Sequence, residues 1–204
     1  MAGRGKHLPA AERKSVIVQT VLDLAAEGDP SRITTVEIAK RMNLTQGALF
    51  RHFPSKDALW EEVMAWVSEQ ILLRLQDAAG GKSSPIGALE DVFFAHMGFA
   101  AGHPGAPRIL FSELLRGEES GATKRVRSFM TRYIRLIAGM IGEGKRVGEV
   151  DHGVDEAAAG ALFMGLIQGL VLQSALSGNW GSVPGEGAEA FAIFRRGIER
   201  GKNP

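Results

Sequence analysis

Between Thr45 and Trp60 the chain reads TQGALFRHFPSKDALW, and these residue types suit the gripping of a polyanion. Thr45 and Gln46 place a hydroxyl and an amide at what reads as a helix start, where they reach phosphate oxygens or base edges; a Gln amide can also match adenine bidentately. Gly47 and Ala48 bring almost no side chain. Glycine inside a helix costs roughly 0.5–1 kcal/mol relative to alanine, so Gly47 suggests that something must approach the backbone closely. Phe50, Arg51 and His52 fall toward the flanking strand backbone of such a partner, and Lys56 adds a point charge suited to phosphate.

No other stretch offers comparable chemistry. Ser112-Glu113 and the glycines form no G-x-S-x-G, Walker A or G-x-G-x-x-G context, so no catalytic residue and no cofactor are expected. His96, His103 and His152 are scattered, with no H-x-x-x-H pair or carboxylate at ligand spacing, so no metal is expected either. The 204 residues include no cysteine, which excludes disulfides and thiolate zinc sites and suits a reducing compartment, the cytoplasm. MAGRGKHLPAAERKS at the N-terminus is basic but is followed by no apolar stretch of secretory type. Arg4, Lys6 and His7 in it suit a basic arm that enters a minor groove.

The elements that must position the Thr45–Lys56 residues are helices. Val16, Ile17, Thr20, Val21 and Leu24 keep a 3.6-residue period over residues 10–27, and EGDPSR ends that helix. Thr34 and Glu37 form a T-x-x-E capping box for a short helix over residues 35–41, with Val36, Ile38 and Ala39 as its apolar side. MNL turns the chain, Thr45 caps the next short helix, FPSKD closes it, and Ser55 caps a long fourth helix carrying Leu59, Trp60, Val63, Met64, Val67, Ile71 and Leu75. Two short helices a few residues apart, with Leu49 and Phe53 turned to the core, have the plan of a helix-turn-helix. Residues 1–56 carry nine Lys/Arg against five Asp/Glu, a balance of +4, while the rest carries −3. That asymmetry fits a nucleic-acid-binding head on a more acidic body.

A glycine-serine break at residues 78–85 precedes apolar periodic segments near 85–101, 105–116, 123–142, 154–178 and 186–200, and no stretch alternates like a strand. The fold class is therefore all-α with about nine helices. Its divisions are a head over 1–56, a connecting helix over 57–78 and a body over 79–204.

The segment ITTVEIAKRMNLTQGALFRHFPSKDALW, with one helix before it and a long one after, resembles the TetR-type one-component transcriptional regulators. The resemblance implies that the third helix lies in the major groove of an operator. Thr35, Thr45, Gln46, Gly47, Phe50, Arg51, His52 and Lys56 become DNA-facing, with Ala48 beside the glycine. Where that family usually carries tyrosine this chain has Phe50, so any contact there is apolar. The resemblance also implies a homodimer whose last two helices form a four-helix bundle across a two-fold, with Gly165, Gly169 and Leu172 on one helix and Phe191, Phe194 and Ile198 on the other. A dimer would read half-sites about 34–36 Å apart in a rough palindrome of double-stranded DNA. Ligand state would reach the DNA through helix four.

Residues 157–180 lack any charged side chain and are long enough for a bilayer. Their flanks are acidic, without Lys/Arg anchors, and Gln168 and Gln173 interrupt the run, so the expectation is a buried core and interface helix and no membrane partner. Aromatics and methionines in the body could be plain core or could line an apolar ligand pocket. The candidate lining is Phe93, His96, Met97, Phe111, Phe129, Tyr133, Phe163 and Gln168, with His96, Tyr133 and Gln168 as polar handles. Apart from Arg108, at a helix start, no buried cation is evident in that region, which favours a small, largely hydrophobic, uncharged or weakly polar inducer. A ligand-binding or enzymatic protein whose head meets a protein partner is the competing reading.

Overall fold

The computed structural model describes residues 10–80, 84–115, 119–180 and 183–201. Among these the chain forms nine α-helices: α1 (Ala10–Glu27), α2 (Thr35–Arg41), α3 (Gln46–Phe50), α4 (Lys56–Ala79), α5 (Pro85–Gly102), α6 (Gly105–Leu115), α7 (Gly121–Val147), α8 (Glu156–Ser177) and α9 (Val183–Ile198).

Side-chain caps set most of the starts. The oxygens of Thr34, Thr45, Ser55, Ser84, Ser120 and Asp155 accept from the backbone N–H three residues on, each typically worth about 1 kcal/mol. Between α1 and α2 the EGDPSR segment closes into a 3-10 turn, Pro30–Arg32. Asp29 caps it, and the Ser31 hydroxyl and N–H hold the Asp29 carboxyl below its usual pKa. α7 runs past residue 142 to Val147, where Gly148 takes a left-handed φ of 81°. Its last turns carry Glu143, Lys145 and Arg146, so the apolar period fades before the helix does.

The core is continuous from the head into the body. Ile17, Val21 and Leu24 of α1 meet Ile38, Leu49, Phe53, Leu59 and Trp60, and α4 carries the same core onward through Val63, Val67, Ile71 and Leu75. In the body, Phe93 packs against Phe163 at 5.8 Å and Phe191 at 5.3 Å between ring centroids, and Phe163 meets Phe194 at 5.4 Å. Such aromatic pairs each contribute about 0.5–1.5 kcal/mol beyond their burial.

A second bridge joins head and body besides α4. α6 packs across α1, so closely that a Cβ on Gly105 would lie 1.9 Å from the Leu22 carbonyl oxygen. Only a residue without a side chain permits that approach. At the far end, Val150 and Glu199 form an isolated antiparallel bridge, and Glu149 Oε2 accepts from Ser84 Oγ at 2.9 Å and the Ile86 N–H at 3.0 Å. The α7–α8 loop is thereby tied to both α5 and α9.

α8 is long and apolar enough to cross a membrane. One face, with Phe163, Met164, Ile167 and Val171, is buried in the body, and the opposite face bears Leu162, Leu172 and Leu176 in the open.

Candidate functional site

The turn between α2 and α3 depends on Asn43, whose φ of 54° is left-handed. Its N–H donates to the Lys40 carbonyl and the Leu44 N–H to the Ala39 carbonyl. These two bonds close α2 as a Schellman motif, with asparagine where glycine is usual. α3 then leaves at a set angle, held by Leu49 and Phe53, both buried.

That placement brings the starts of α2 and α3 together. Gln46 Nε2 donates to Thr35 Oγ1 at 2.8 Å, and Thr45 accepts from the Ala48 N–H. Thr45, Gln46, Gly47, Phe50 and Arg51 are exposed, and Thr35, Ala48, His52 and Lys56 are half-buried. A Cβ built on Gly47 meets nothing within 4 Å. No contact among the described residues therefore calls for glycine at 47.

Val36 corrects its sequence-based placement: it is 58% exposed, because α2 buries only the side that carries Ile38 and Ala39. It lies one turn from exposed Lys40. Both are exposed on the short helix that carries Thr35, and the resemblance that implies a DNA-facing Thr35 names neither. Arg41 is turned elsewhere. Its guanidinium binds both Glu27 oxygens, at 2.8 and 2.6 Å, which lowers the Glu27 pKa and raises that of Arg41. Lys56 sets its ammonium over the Trp60 ring at 5.5 Å and lines a cleft with Pro30, Ser31, Ile109 and Glu113. It thus stands at the junction of head and body. Arg4, Lys6 and His7 lie outside the described residues.

A second candidate site lies in the body, a cavity of about 40 Å³ between α4, α5, α6, α7 and α8. Its walls are Val67, Ile71, Phe99, Leu110, Phe111, Phe129, Met130, Met164 and Ile167, with His96 and Gln168 as polar members. Of the residues expected there, His96, Phe111, Phe129 and Gln168 line it. Phe93, Met97, Tyr133 and Phe163 do not; all four are packed into the core behind it. Aromatic content alone cannot separate a cavity wall from the layer supporting it. The expected lining lacks Val67 and Ile71 of α4, Phe99 of α5, Leu110 of α6, Met130 of α7 and Met164 and Ile167 of α8, among others.

The Tyr133 hydroxyl lies 3.1 Å from His96 Nδ1. Burial pushes the His96 pKa down to about 4 and the Tyr133 pKa well above the phenol range, so both are neutral near pH 7. Gln168 Nε2 donates to the Met130 sulfur at 3.3 Å. No Lys or Arg lines the cavity, so it holds no formal charge to meet an anion.

The expected pairing face is divided by the structure. Gly165, Gly169 and Leu172 lie on the open side of α8 at a 3,4 spacing that continues to Leu162 and Leu176. Phe191, Phe194 and Ile198 are at most 4% exposed and face their own protomer's core, so they are corrected from interface to core. A period of three and four marks an apolar face without saying what covers it. On α9, Ile193 points outward, 64% exposed.

Comparison with known proteins gives consistent results. A family model described as bacterial regulatory proteins, tetR family, matches residues 17–63. The nucleoid occlusion factor SlmA of Marinobacter nauticus is 30% identical over 133 residues, covering 65% of this chain and 68% of that protein. In fold, a putative transcriptional regulator from Saccharomonospora viridis, solved in complex with choline, superposes with a TM-score of 0.83 at 17% identity, covering 94% of this chain and 100% of that one. The transcriptional regulator FadR from Bacillus subtilis, in complex with stearoyl-CoA, gives 0.77 at 19% identity, covering 89% and 97%.

Proposed function

Since the chain belongs to the TetR family of bacterial regulatory proteins, we propose that it is a ligand-responsive repressor, acting in the cytoplasm, that binds a palindromic operator as a homodimer. A small, uncharged, hydrophobic inducer releases it. The observation that carries the DNA reading is the exposed face that Thr45, Gln46, Gly47, Phe50 and Arg51 share, with the starts of α2 and α3 linked by the Gln46–Thr35 hydrogen bond.

In this reading residues 1–56 are the DNA head, 57–78 the connecting helix and 79–204 the ligand and dimer body. Thr35, Thr45, Gln46, Gly47, Ala48, Phe50, Arg51 and His52 face the major groove and its flanking backbone, and Lys56 supplies charge beside them. Two copies join through α8 and α9, covering Leu162, Gly165, Gly169, Leu172, Leu176 and Ile193. Five exposed residues and the half-buried Gly169, all apolar or small and on adjoining helices, support that choice.

Release works as a population shift. The cavity has room for only a few water-sized groups, so a larger ligand must push Leu110 and Phe111 of α6 outward. α6 bears on α1 at Gly105, and α4 lines the cavity with Val67 and Ile71. Both helices carry the displacement to the head and change the spacing of the two recognition helices. The regulators solved with choline and with stearoyl-CoA differ widely in ligand, and this chain's own cavity, without Lys or Arg in its lining, suits an uncharged one.

A gel shift with the DNA upstream of the chain's own gene, with heparin as competitor, tests the proposal. A specific, salt-dependent shift is expected, and Gln46→Ala should weaken it by about 1–3 kcal/mol. Absence of a specific shift refutes it. The relatives named nucleoid occlusion factor SlmA favour a second reading, a part in nucleoid occlusion; microscopy of a deletion strain for septa formed over the nucleoid separates it from promoter regulation.

A further inference from the structure

The cavity walls contain two polar side chains whose hydrogen-bonding roles are settled by their neighbours. Tyr133 is fully buried, and the group its hydroxyl meets is His96 Nδ1, at 3.1 Å. A buried hydroxyl hydrogen left without an acceptor costs about 1–3 kcal/mol, so the phenol donates and Nδ1 accepts. In a neutral imidazole the proton then sits on Nε2. Among the described residues Nε2 has no partner, yet no side-chain polar atom is both buried and unpaired. His96 is one of the residues that line the cavity, so Nε2–H is the donor it can offer there.

Gln168 is oriented by the same reasoning. The Met130 sulfur is an acceptor only, so the amide nitrogen faces it. That leaves Gln168 Oε1, an acceptor without a partner among the described residues, on the cavity wall. Everything else there is hydrocarbon or thioether, and Met130 and Met164 can repack around an unfamiliar shape.

We infer that this cavity selects an uncharged, largely hydrocarbon molecule carrying a carbonyl next to an N–H or O–H. The carbonyl accepts from His96 Nε2–H, and the N–H or O–H donates to Gln168 Oε1. This rests on the cavity being the inducer site. A carboxylate of the same length is disfavoured twice, because it lacks the donor and would enter an apolar space with no cation to meet it. Tyr133 acts as a positioning residue that keeps the His96 proton on the cavity side.

Titration calorimetry of the full chain at pH 7.5 with octanamide, 2-nonanone and octanoate tests the assignment. Octanamide should bind at least tenfold more tightly than octanoate and severalfold more tightly than the ketone. Gln168→Leu should erase the difference between amide and ketone. His96→Phe combined with Tyr133→Phe removes both partners of the inner hydrogen bond together, which spares the fold, and should weaken both neutral probes alike. The inference is overturned if octanoate binds as well as octanamide, if neither neutral probe binds, or if the variants keep the parent's preferences. Operator binding is read separately by gel shift. A chain that selects the amide without binding DNA refutes the proposed function and leaves this inference standing.

Discussion

Replacing Gly47 with alanine should move folding and DNA binding in opposite directions. In the free protein the new methyl meets nothing within 4 Å, and Gly47 is not among the glycines with positive φ. Nothing opposes the ordinary gain of alanine over glycine in a helix, about 0.5–1 kcal/mol. For a chain of this size 1 kcal/mol shifts the melting temperature by about 2–4 °C, so Gly47→Ala should melt roughly 1–4 °C higher than the parent. On the operator the same methyl occupies space that the duplex needs, and affinity should fall about tenfold, near 1.4 kcal/mol. Circular dichroism melts and fluorescence anisotropy with labelled operator at one fixed salt concentration measure the two effects. Gly98 in α5 supplies the control, since a Cβ there also meets nothing within 4 Å. Gly98→Ala should raise the melting temperature and leave DNA binding unchanged. A lower melting temperature for Gly47→Ala, or parent-like operator affinity, would refute the argument from open space.

Gly105→Ala tests the contact of α6 on α1. Its methyl would press on the backbone of Leu22, and overpacking of this kind costs about 1–3 kcal/mol; a melt within 1 °C of the parent would show that the helices part freely. Leu162→Glu with Leu176→Glu places charges on the open face of α8 and should give a monomer by sedimentation, with an unchanged helical spectrum. A persistent dimer would move the interface elsewhere. The His96 pKa of about 4 lies below the unfolded value near 6.5. The folded state therefore binds fewer protons in that window, and His96 favours folding above pH 6.5 and loses that contribution as pH falls toward 4. The loss amounts to roughly 3 kcal/mol. Urea melts at pH 7 and pH 4.5 should show it in the parent, and a smaller drop when His96→Phe and Tyr133→Phe are combined; equal drops would place the acid sensitivity in other groups.

Short-range chemistry made much of the molecule legible before any coordinates. Thr34, Thr45 and Ser55 each cap the helix that follows, because a capping oxygen needs only the N–H three residues on. The core face of α4, from Leu59 to Leu75, is buried as its period implies. α1 and α2 occupy the residues expected of them, since EGDPSR and the T-x-x-E box punctuate locally. The glycine at 47 was visible as a helical oddity, and the structure adds that nothing among the described residues occupies its space.

Where two surfaces compete for one apolar stripe, the sequence is silent. Phe191, Phe194 and Ile198 carry the spacing of an interface as well as that of a core, and only the approach of α5 and α8 decided that they pack inward while Ile193 stays outside. Val36 is exposed because α2 buries only the side that carries Ile38 and Ala39. The division of the body's aromatics into cavity wall and supporting layer needed the positions of five helices at once. So did the bearing of α6 on α1 through Gly105, a contact between residues more than eighty positions apart. Local hydrogen bonds and periodicity are properties of neighbouring residues, and so the chain determines them by itself. Which face meets which is settled only when the helices compete for the same space.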